Sequence, residues 1–524
     1  MPDPLNSFDH VVVLMLENRS FDNILGNLYY PAGLQSPPAG STPLPAGKTF
    51  EGIAGKTLTN PGVGGQSIPV SVGSDFHQPY PDPGEEFNHI TFQLFQSAEA
   101  SSLKPAMQGF VEDYWAVLTA LESEQWCGSP AQQSAVIMKC FAPASTPVLS
   151  ALATEFAVFD HWFCAVPSQT WCNRAFWHAA TSWGWVNNPA AFDLGDPWNL
   201  DHWAASSAGR TLFDLLEPGN WCIYEDLIVP FTKMVHWGDL KDKSGEEYFR
   251  YLEGLQPSDR TFFRDCKNGD LPQYSFLEPH FINLLEGVPW HDDMHPSSFD
   301  SIIYSDCGPG SVTLGDQLVW KVYQAIRNSP KRSTTLLIIT FDEHGGCYDH
   351  VPPPQPVTPP DPSGFNTGWW NQCVPGGGED CFDFKRLGVR VPMVMVSDFI
   401  AKNTIVNSCM DHCSFLKTMA QKWGLPSLGP RQDAASPFTE VFAVSARTDP
   451  WPDFPIYPGP TAEVSADLIS AIDPRKIRLN GLQASIIKAI VRLYLKDADL
   501  QVPATLKDAQ AILDRVKRLP HPVR

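Results

Sequence analysis

Glu17 and Asn18 directly follow the apolar run Phe8 to Leu16 (FDHVVVLML), and Asp342 and Glu343 directly follow a second run, Thr334 to Phe341. Together they offer three carboxylates and an amide oxygen, all hard donors. Carboxylates gathered at one point repel one another unless a divalent cation lies among them, so the set predicts a metal site. Taken singly, each acid could as well solvate a strand end or cap a helix. A third segment, Val158 to Val166 followed by Pro167-Ser168-Gln169-Thr170-Trp171-Cys172-Asn173-Arg174, carries a hydroxyl to a point where a loop enters a helix. There Ser168 or Thr170 would feel the positive end of the helix dipole, and contact with a metal would lower its pKa enough to make it a nucleophile towards phosphorus. Without the metal, a hydroxyl at such a position is simply an N-cap. Arg174, one turn inside, could orient an anionic oxygen. Of fourteen histidines, His89, His236, His295, His344 and His412 stand in loop-like contexts beside glycine, proline or acid. Histidine near a phosphate can donate a hydrogen bond, carry positive charge or protonate a leaving oxygen, and each of the five also has a structural reading.

These residues need a scaffold that brings them to one edge. The two apolar runs have the length and continuity of buried strands. Gly315 to Asn328 has apolar residues at helical spacing and stops at Ser329-Pro330, so a helix precedes the second strand. Helix followed by buried strand predicts an α/β fold, in which ligands bind beyond the carboxyl ends of the strands. Val389 to Val396 reads as a further strand, with Pro392 arguing for an edge position or a bulge. The Gly- and Pro-rich stretches 31–75 and 352–380 read as long loops covering the rim of the sheet. From about residue 460 the chain reads as helical, with segments Ala466 to Ile472, Leu482 to Lys496 and Thr505 to Leu519 separated by Pro474 and Pro503. That tail is either a cap packed on the sheet or, through Ile486, Ile487, Ile490 and Leu493, a surface for peripheral membrane contact. No repeat of fixed period is present.

Composition sets outer limits. The chain carries 37 Lys+Arg against 58 Asp+Glu, a net charge of -21, which offers no footprint for a nucleic-acid backbone. A hydrophobic fraction of 43% with 18% charged residues is globular. No apolar run is long enough to span a membrane, and the N-terminus lacks the regions of a signal peptide, so a cytoplasmic protein, or a secreted one whose signal has been removed, is expected. The twelve cysteines include the near neighbours Cys164 and Cys172, Cys373 and Cys381, and Cys409 and Cys413. An even set fits an oxidised exported protein and a reduced cytosolic enzyme alike, and the absence of a CxxC pair argues against a zinc ribbon.

The motifs FDHVVVLMLENRSFDNILG, DPGEEF, TWCNRAFWHAATSWG, DDMHPSS, STTLLIITFDEHGGCYDHVPPP and DHCSFLKTMAQKWGLPSLGPR occur in this order over most of residues 8–440. In that order they resemble the phosphoesterase family of bacterial and plant non-specific phospholipases C and a related bacterial acid phosphatase. The resemblance implies an alkaline-phosphatase-like α/β fold, with a central, mostly parallel sheet flanked by helices. It implies Glu17, Asn18, Thr170, Asp342 and Glu343 as ligands of one or more divalent ions, with zinc, calcium, magnesium and manganese all open. It makes Thr170 the nucleophile, ahead of Ser168, and implies a phospho-threonine intermediate. His236, His295 and Arg174 complete the expected catalytic set, and His89, His412 and Asn173 the substrate-binding set.

This chain departs from the family pattern in three places. Cys172 replaces a proline, Glu85 stands where plant members have histidine with His89 one turn later, and the metal pair Asp342-Glu343 is Asp-Glu rather than Asp-Asp. The expected activity is hydrolysis of a phosphatidylcholine-type lipid to diacylglycerol and a phosphorylated headgroup. A phosphomonoesterase and a non-catalytic phosphate-ligand binding protein are the alternatives. Trp171, Trp177, Trp183, Trp185, Trp237, Trp290, Trp369 and Trp370 would suit a choline headgroup, or serve packing. The acidic surface favours a zwitterionic lipid over an anionic one. Residues 1–440 are expected to form the catalytic domain and 441–524 a largely helical extension.

Overall fold

The computed structural model describes residues 4–73, 76, 78–97, 104–121, 129–189, 200–207, 209–227, 229–254, 256–282, 291–296, 311–360, 382–459, 479–496 and 505–518. The apolar runs become strands because each is long, uninterrupted and rich in Val, Ile and Leu, and each is covered on both faces. In chain order the main sheet takes β1 (His10–Leu16), β2 (Ala157–Phe159), β3 (Trp221–Tyr224), β4 (Phe249–Arg250), β5 (Tyr274–Leu277), β6 (Thr335–Phe341), β7 (Met393–Val396) and β8 (Thr404–Val406). In space the order is β4-β3-β5-β1-β6-β7-β2-β8. Every pairing is parallel except the two made by β7, which runs against both β6 and β2. The α/β class with a mostly parallel central sheet is therefore as expected.

β7 corrects the expectation for Val389 to Val396. It is an interior strand, and Pro392 stands just ahead of it, where no ladder hydrogen bond is demanded of its nitrogen. The Pro392 carbonyl instead accepts from Thr340 Oγ1 at 3.1 Å.

The helices used below are α1 (Phe21–Ile24), α2 (Phe87–Phe95), α3 (Phe110–Ala120), α4 (Pro147–Glu155), α5 (Thr170–Ala179), α6 (Val312–Arg327), α7 (His412–Trp423), α8 (Gly481–Ala489) and α9 (Leu506–Lys517). α6 starts three residues before the predicted helix, capped by Ser311, and packs Leu318, Val319, Val322 and Ile326 into the core. Its buried Asp316 accepts from Val148 N at 3.0 Å and Leu149 N at 2.8 Å, capping α4 from outside.

Rim segment 31–75 is more structured than a loop reading implies, since Thr59–Gly62 and Gln66–Pro69 form an antiparallel hairpin. A smaller apolar cluster under it joins Ile53 to Ile90, Leu94, Phe110 and Leu118 of α2 and α3. Of 352–380, residues 361–380 lie outside the described residues, as do Ala466 to Ile472 of the tail. The Leu482 to Lys496 helix is present as α8 continued by a wider π-helical stretch, Ile490–Leu495, and the Thr505 to Leu519 helix as α9.

Ile486, Ile487 and Ile490 are fully buried and Leu493 is 9% exposed, all in the cluster that includes the sheet. That apolar face is spent on the core, which overturns its reading as a membrane surface. Among the described residues no helix is long and apolar enough to cross a membrane. Eight cysteines, Cys164, Cys172, Cys409 and Cys413 among them, are free thiols, so neither of those near pairs is a disulfide.

Candidate active site

β1 and β6 pair in parallel from His10 opposite Thr335 to Leu16 opposite Phe341. Because both strands end at the same level, Glu17-Asn18 and Asp342-Glu343 emerge side by side. The ladder runs one step further, with Asp342 N donating to Leu16 O at 3.2 Å, and Asn18 N donates to Asp342 Oδ1 at 3.3 Å. Asn18 takes φ +49°, a left-handed conformation that Asn tolerates. Gly345, at φ +58°, lies against it, and a Cβ there would sit 2.3 Å from Asn18 O, so the DEHGG turn requires glycine.

The two acid-bearing loops are tied together behind the site by a fully buried Arg390. Its Nη2 donates to Asp22 Oδ1 at 2.9 Å, its Nε to Asp349 Oδ1 at 3.0 Å, and its Nη1 to the carbonyls of Glu51 and Asp160. His350 adds a bond to Asp22 at 2.6 Å.

Thr170 is the first residue of α5, where the helix dipole is positive. Its hydroxyl donates to Glu17 Oε2 at 3.2 Å and lies 3.4 Å from Asn18 Oδ1. Ser168 points elsewhere, to Asn187 Oδ1 at 3.4 Å, so geometry selects Thr170 from the two hydroxyls. Asn173 corrects the substrate-binding expectation, because both ends of its amide are used on backbone. Nδ2 donates to the carbonyls of Val166, Ser168 and Gln169, and Oδ1 accepts from Val166 N at 3.0 Å, clamping the loop that delivers Thr170.

Arg174 likewise differs from expectation. Its Nη2 binds Glu17 Oε1 and the Met15 carbonyl, its Nε lies 3.4 Å from Asp342 Oδ2, and Phe231 and Phe281 flank it. It is a counter-ion of the acids, while its Nη1 makes no hydrogen bond to the described residues.

Glu17, Asn18, Asp293, Asp342 and Glu343 are all fully buried. Burial pushes Glu17 well above the ordinary carboxyl range, against the pull of Arg174 and with a further push from Asp342 and Asp293. Burial, and then the charge of Asp342, push Glu343 the same way. Asp342 Oδ2, Glu343 Oε1 and Asp293 Oδ2 accept no hydrogen bond from the described residues. Buried carboxylate oxygens without donors are costly unless something positive meets them, and one guanidinium does not satisfy four acids. Thr170 Oγ1 lies beside Glu17 Oε2 and Asn18 Oδ1, and oxygen donors of this kind suit a hard divalent cation.

The histidines separate into different places. His295 is fully buried in the site, with Nε2 at 2.9 Å from Asn18 Nδ2 and Nδ1 at 2.7 Å from the Pro296 carbonyl. His412 was expected at the substrate. Instead its Nε2 donates to the Asp342 carbonyl at 2.6 Å and its Nδ1 accepts from Trp162 Nε1 at 3.2 Å, and burial lowers its pKa. It holds the acid loop from behind.

His236, expected in the catalytic set, packs against other rings. It is fully buried among His178, Phe213 and Trp183, and burial lowers it to about 3. The Arg174 backbone, one turn into α5, is close enough to oppose that shift. His89, expected at the substrate, bonds Asp113 at 2.8 Å in a pocket of about 480 Å³ that Phe92 and Trp115 also line. Among the described residues a relay links it to the acids. Asp113 accepts from Gln93 at 2.8 Å, and Gln93 Oε1 accepts from His344 at 2.9 Å, next in sequence to Glu343. Trp171, Trp177 and Trp185 are buried and pack on other rings, while Trp290, Trp369 and Trp370 lie outside the described residues.

Three site neighbours escaped the sequence reading as functional residues. Asp293 gives its carbonyl to Glu17 N at 2.7 Å, Glu85 accepts from Asn18 Nδ2 at 2.5 Å, and Asp82 stands beside Glu85 and His295. The signal lay in the DPGEEF and DDMHPSS motifs, whose acids are as dense as those of the two strand ends.

The chain matches the model of the Phosphoesterase family over residues 8–426. Non-specific phospholipase C6 of Arabidopsis thaliana is 34% identical over 458 residues, 85% of this chain and 74% of that protein. Non-specific phospholipase C3 of the same plant is 29% identical over 97% of this chain and 86% of its own length. Phospholipase C B of Mycobacterium tuberculosis is 27% identical over 86% of this chain and 80% of its own. Among solved structures, a protein in the alkaline phosphatase superfamily from Vibrio parahaemolyticus aligns with 57% of this chain and 62% of its own. Its TM-score of 0.29 and 12% identity are too low to bear on the assignment.

Proposed function

The chain belongs to the phosphoesterase family and is a phosphoric ester hydrolase, and from that footing we propose that it is a metal-dependent phospholipase C. It acts on a phosphatidylcholine-type lipid, yielding diacylglycerol and a phosphorylated headgroup. Thr170 carries the reading: a hydroxyl at the N-terminus of α5, in reach of Glu17 and Asn18, in a chain whose relatives are named phospholipases C.

Thr170 Oγ1 forms the new bond to phosphorus as its proton passes to Glu17 Oε2, and the glyceride oxygen leaves with the bonding pair and takes up a proton from solvent. Water then attacks phosphorus, and Thr170 Oγ1 leaves with its electron pair and regains a proton. Glu17 Oε2, by accepting from the hydroxyl, turns a lone pair of Oγ1 outward before attack. Arg174 keeps Glu17 and Asp342 in place, and His412 holds the Asp342 backbone. Glu17, Asn18, Thr170, Asp342 and Glu343 would hold a divalent cation, which when bound would supply charge stabilisation to oxygens that gain negative charge.

Trp171, Trp177 and Trp185 are buried in packing and offer no open aromatic face to a choline headgroup, so the choline part of the reading stands or falls by assay. The test is turnover of p-nitrophenylphosphorylcholine against p-nitrophenyl phosphate. Turnover of the diester alone supports phospholipase C. Turnover of the monoester alone replaces it with a phosphomonoesterase, and turnover of neither in the presence of metal replaces it with a binding protein.

A further inference from the structure

Asn18 is the one proposed cation donor whose useful atom depends on which way an amide is turned. Its Oδ1 lies 3.4 Å from Thr170 Oγ1, and its Nδ2 points away from the nucleophile. Both amide hydrogens are accounted for: Nδ2 donates to Glu85 Oε2 at 2.5 Å and reaches His295 Nε2 at 2.9 Å. The imidazole can accept because its Nδ1 is committed to the Pro296 carbonyl at 2.7 Å, which puts the lone pair on Nε2. Glu85 also accepts from Gln169 Nε2 at 3.4 Å through its other oxygen, and Gln169 is the residue immediately before Thr170. One carboxyl thus spans the loop that carries Asn18 and the cap of the helix that carries the nucleophile.

We infer that Glu85 and His295 are positioning residues, which together lock the Asn18 amide with Oδ1 towards Thr170 and the cation. This assigns Glu85 a role although the position holds histidine in plant members of the family. It also recasts His295 as a hydrogen-bond acceptor in place of the expected proton donor. The inference rests on the reading that Asn18 Oδ1 helps bind a divalent ion.

Asp82, Glu85 and His295 present ligand atoms within 4.8 Å of one another, as a second metal set would. The single lone pair of the imidazole is, however, already taken by the Asn18 amide, and Glu85 Oε2 already accepts from it. The geometry therefore favours orientation over a second ion.

The test uses the full chain, stripped with chelator and titrated with manganese(II), following dissociation constant and stoichiometry, with melting temperature and diester turnover alongside. Glu85→Ala should weaken manganese ten- to a hundredfold, the usual cost of losing an outer partner of a ligand, and lower kcat more than it raises KM. Glu85→Gln keeps an oxygen that accepts from Asn18 and should recover affinity to within a few-fold of wild type. His295→Ala removes the amide's other acceptor, should weaken manganese similarly, and carries the same test if Glu85→Ala does not fold. Wild-type affinity in folded Glu85→Ala overturns the inference, as does Glu85→Gln behaving like Glu85→Ala. Two ions in wild type falling to one in Glu85→Ala also overturns it, in favour of the second metal. A wild-type chain that binds no divalent ion removes the metal reading itself, and this inference with it.

Discussion

Thr170 and Ser168 are two residues apart, yet one faces a cluster of acids and the other an asparagine. At a helix entrance a shift of two residues turns a side chain by more than a right angle, so neighbours of identical chemistry do not share a function. Thr170→Ala should therefore lower diester turnover on the order of 10⁴-fold or more, the scale of losing a nucleophile. The melting temperature should barely move, since a single buried hydroxyl bond contributes only about 1 kcal/mol. A variant with wild-type turnover would take Thr170 out of the mechanism. Asn173, His412 and Arg174 teach the converse. Each is polar, buried and beside the site, and each holds a part of the loops that carry Thr170 or the acids, so polarity near a nucleophile does not by itself make a substrate contact.

The elements act through register and through one knot. β1 and β6 end level with each other, and Arg390 then fixes the two loops by holding Asp22 and Asp349. Replacing Arg390 with Met leaves two buried carboxylates without their cation, a change that costs about 3–5 kcal/mol. Burial alone raises Asp22, and the charges of Arg390 and His350 bring it below its ordinary value. Burial raises Asp349 to about 6 even with Arg390 beside it. Without the guanidinium both carboxyls move up in the folded state. A group raised on folding contributes stability at low pH that is lost as pH rises through its folded value. The gap between wild type and Arg390→Met should accordingly widen from pH 4 to pH 7 in urea unfolding. A gap that narrowed with rising pH would contradict this account. Diester turnover should fall as well, because the same knot sets Glu17 beside Asp342.

At the scale of the whole molecule, a net charge of -21 surrounds a site whose buried oxygens await positive charge. Stripping divalent ions should abolish turnover reversibly and lower the melting temperature, since an ion at a thousand times its dissociation constant stabilises the native state by about 4 kcal/mol. Full activity in a demetallated protein would refute the metal reading. The same charge should make hydrolysis slower on anionic phosphatidylglycerol vesicles than on phosphatidylcholine, with added salt narrowing the difference. Faster hydrolysis of the anionic vesicles at low salt would count against it.

β1, β6, β7, α6, α8, α9 and the hydroxyl at a helix entrance were legible in the chain because periodicity, composition and capping are local. The acids at the ends of β1 and β6 were legible too, since a buried parallel strand that stops at carboxylates announces where its edge lies. The rest depended on distance along the chain. Asn18 meets Glu85, Thr170, His295 and Asp342 across 67, 152, 277 and 324 residues, and no local pattern encodes such contacts. The tail's isoleucines could have faced lipid or core, and packing against the sheet cluster took them inward. Which histidine lies against Asn18, and which acid accepts from its amide, emerged only with the tertiary packing that brings those distant segments together.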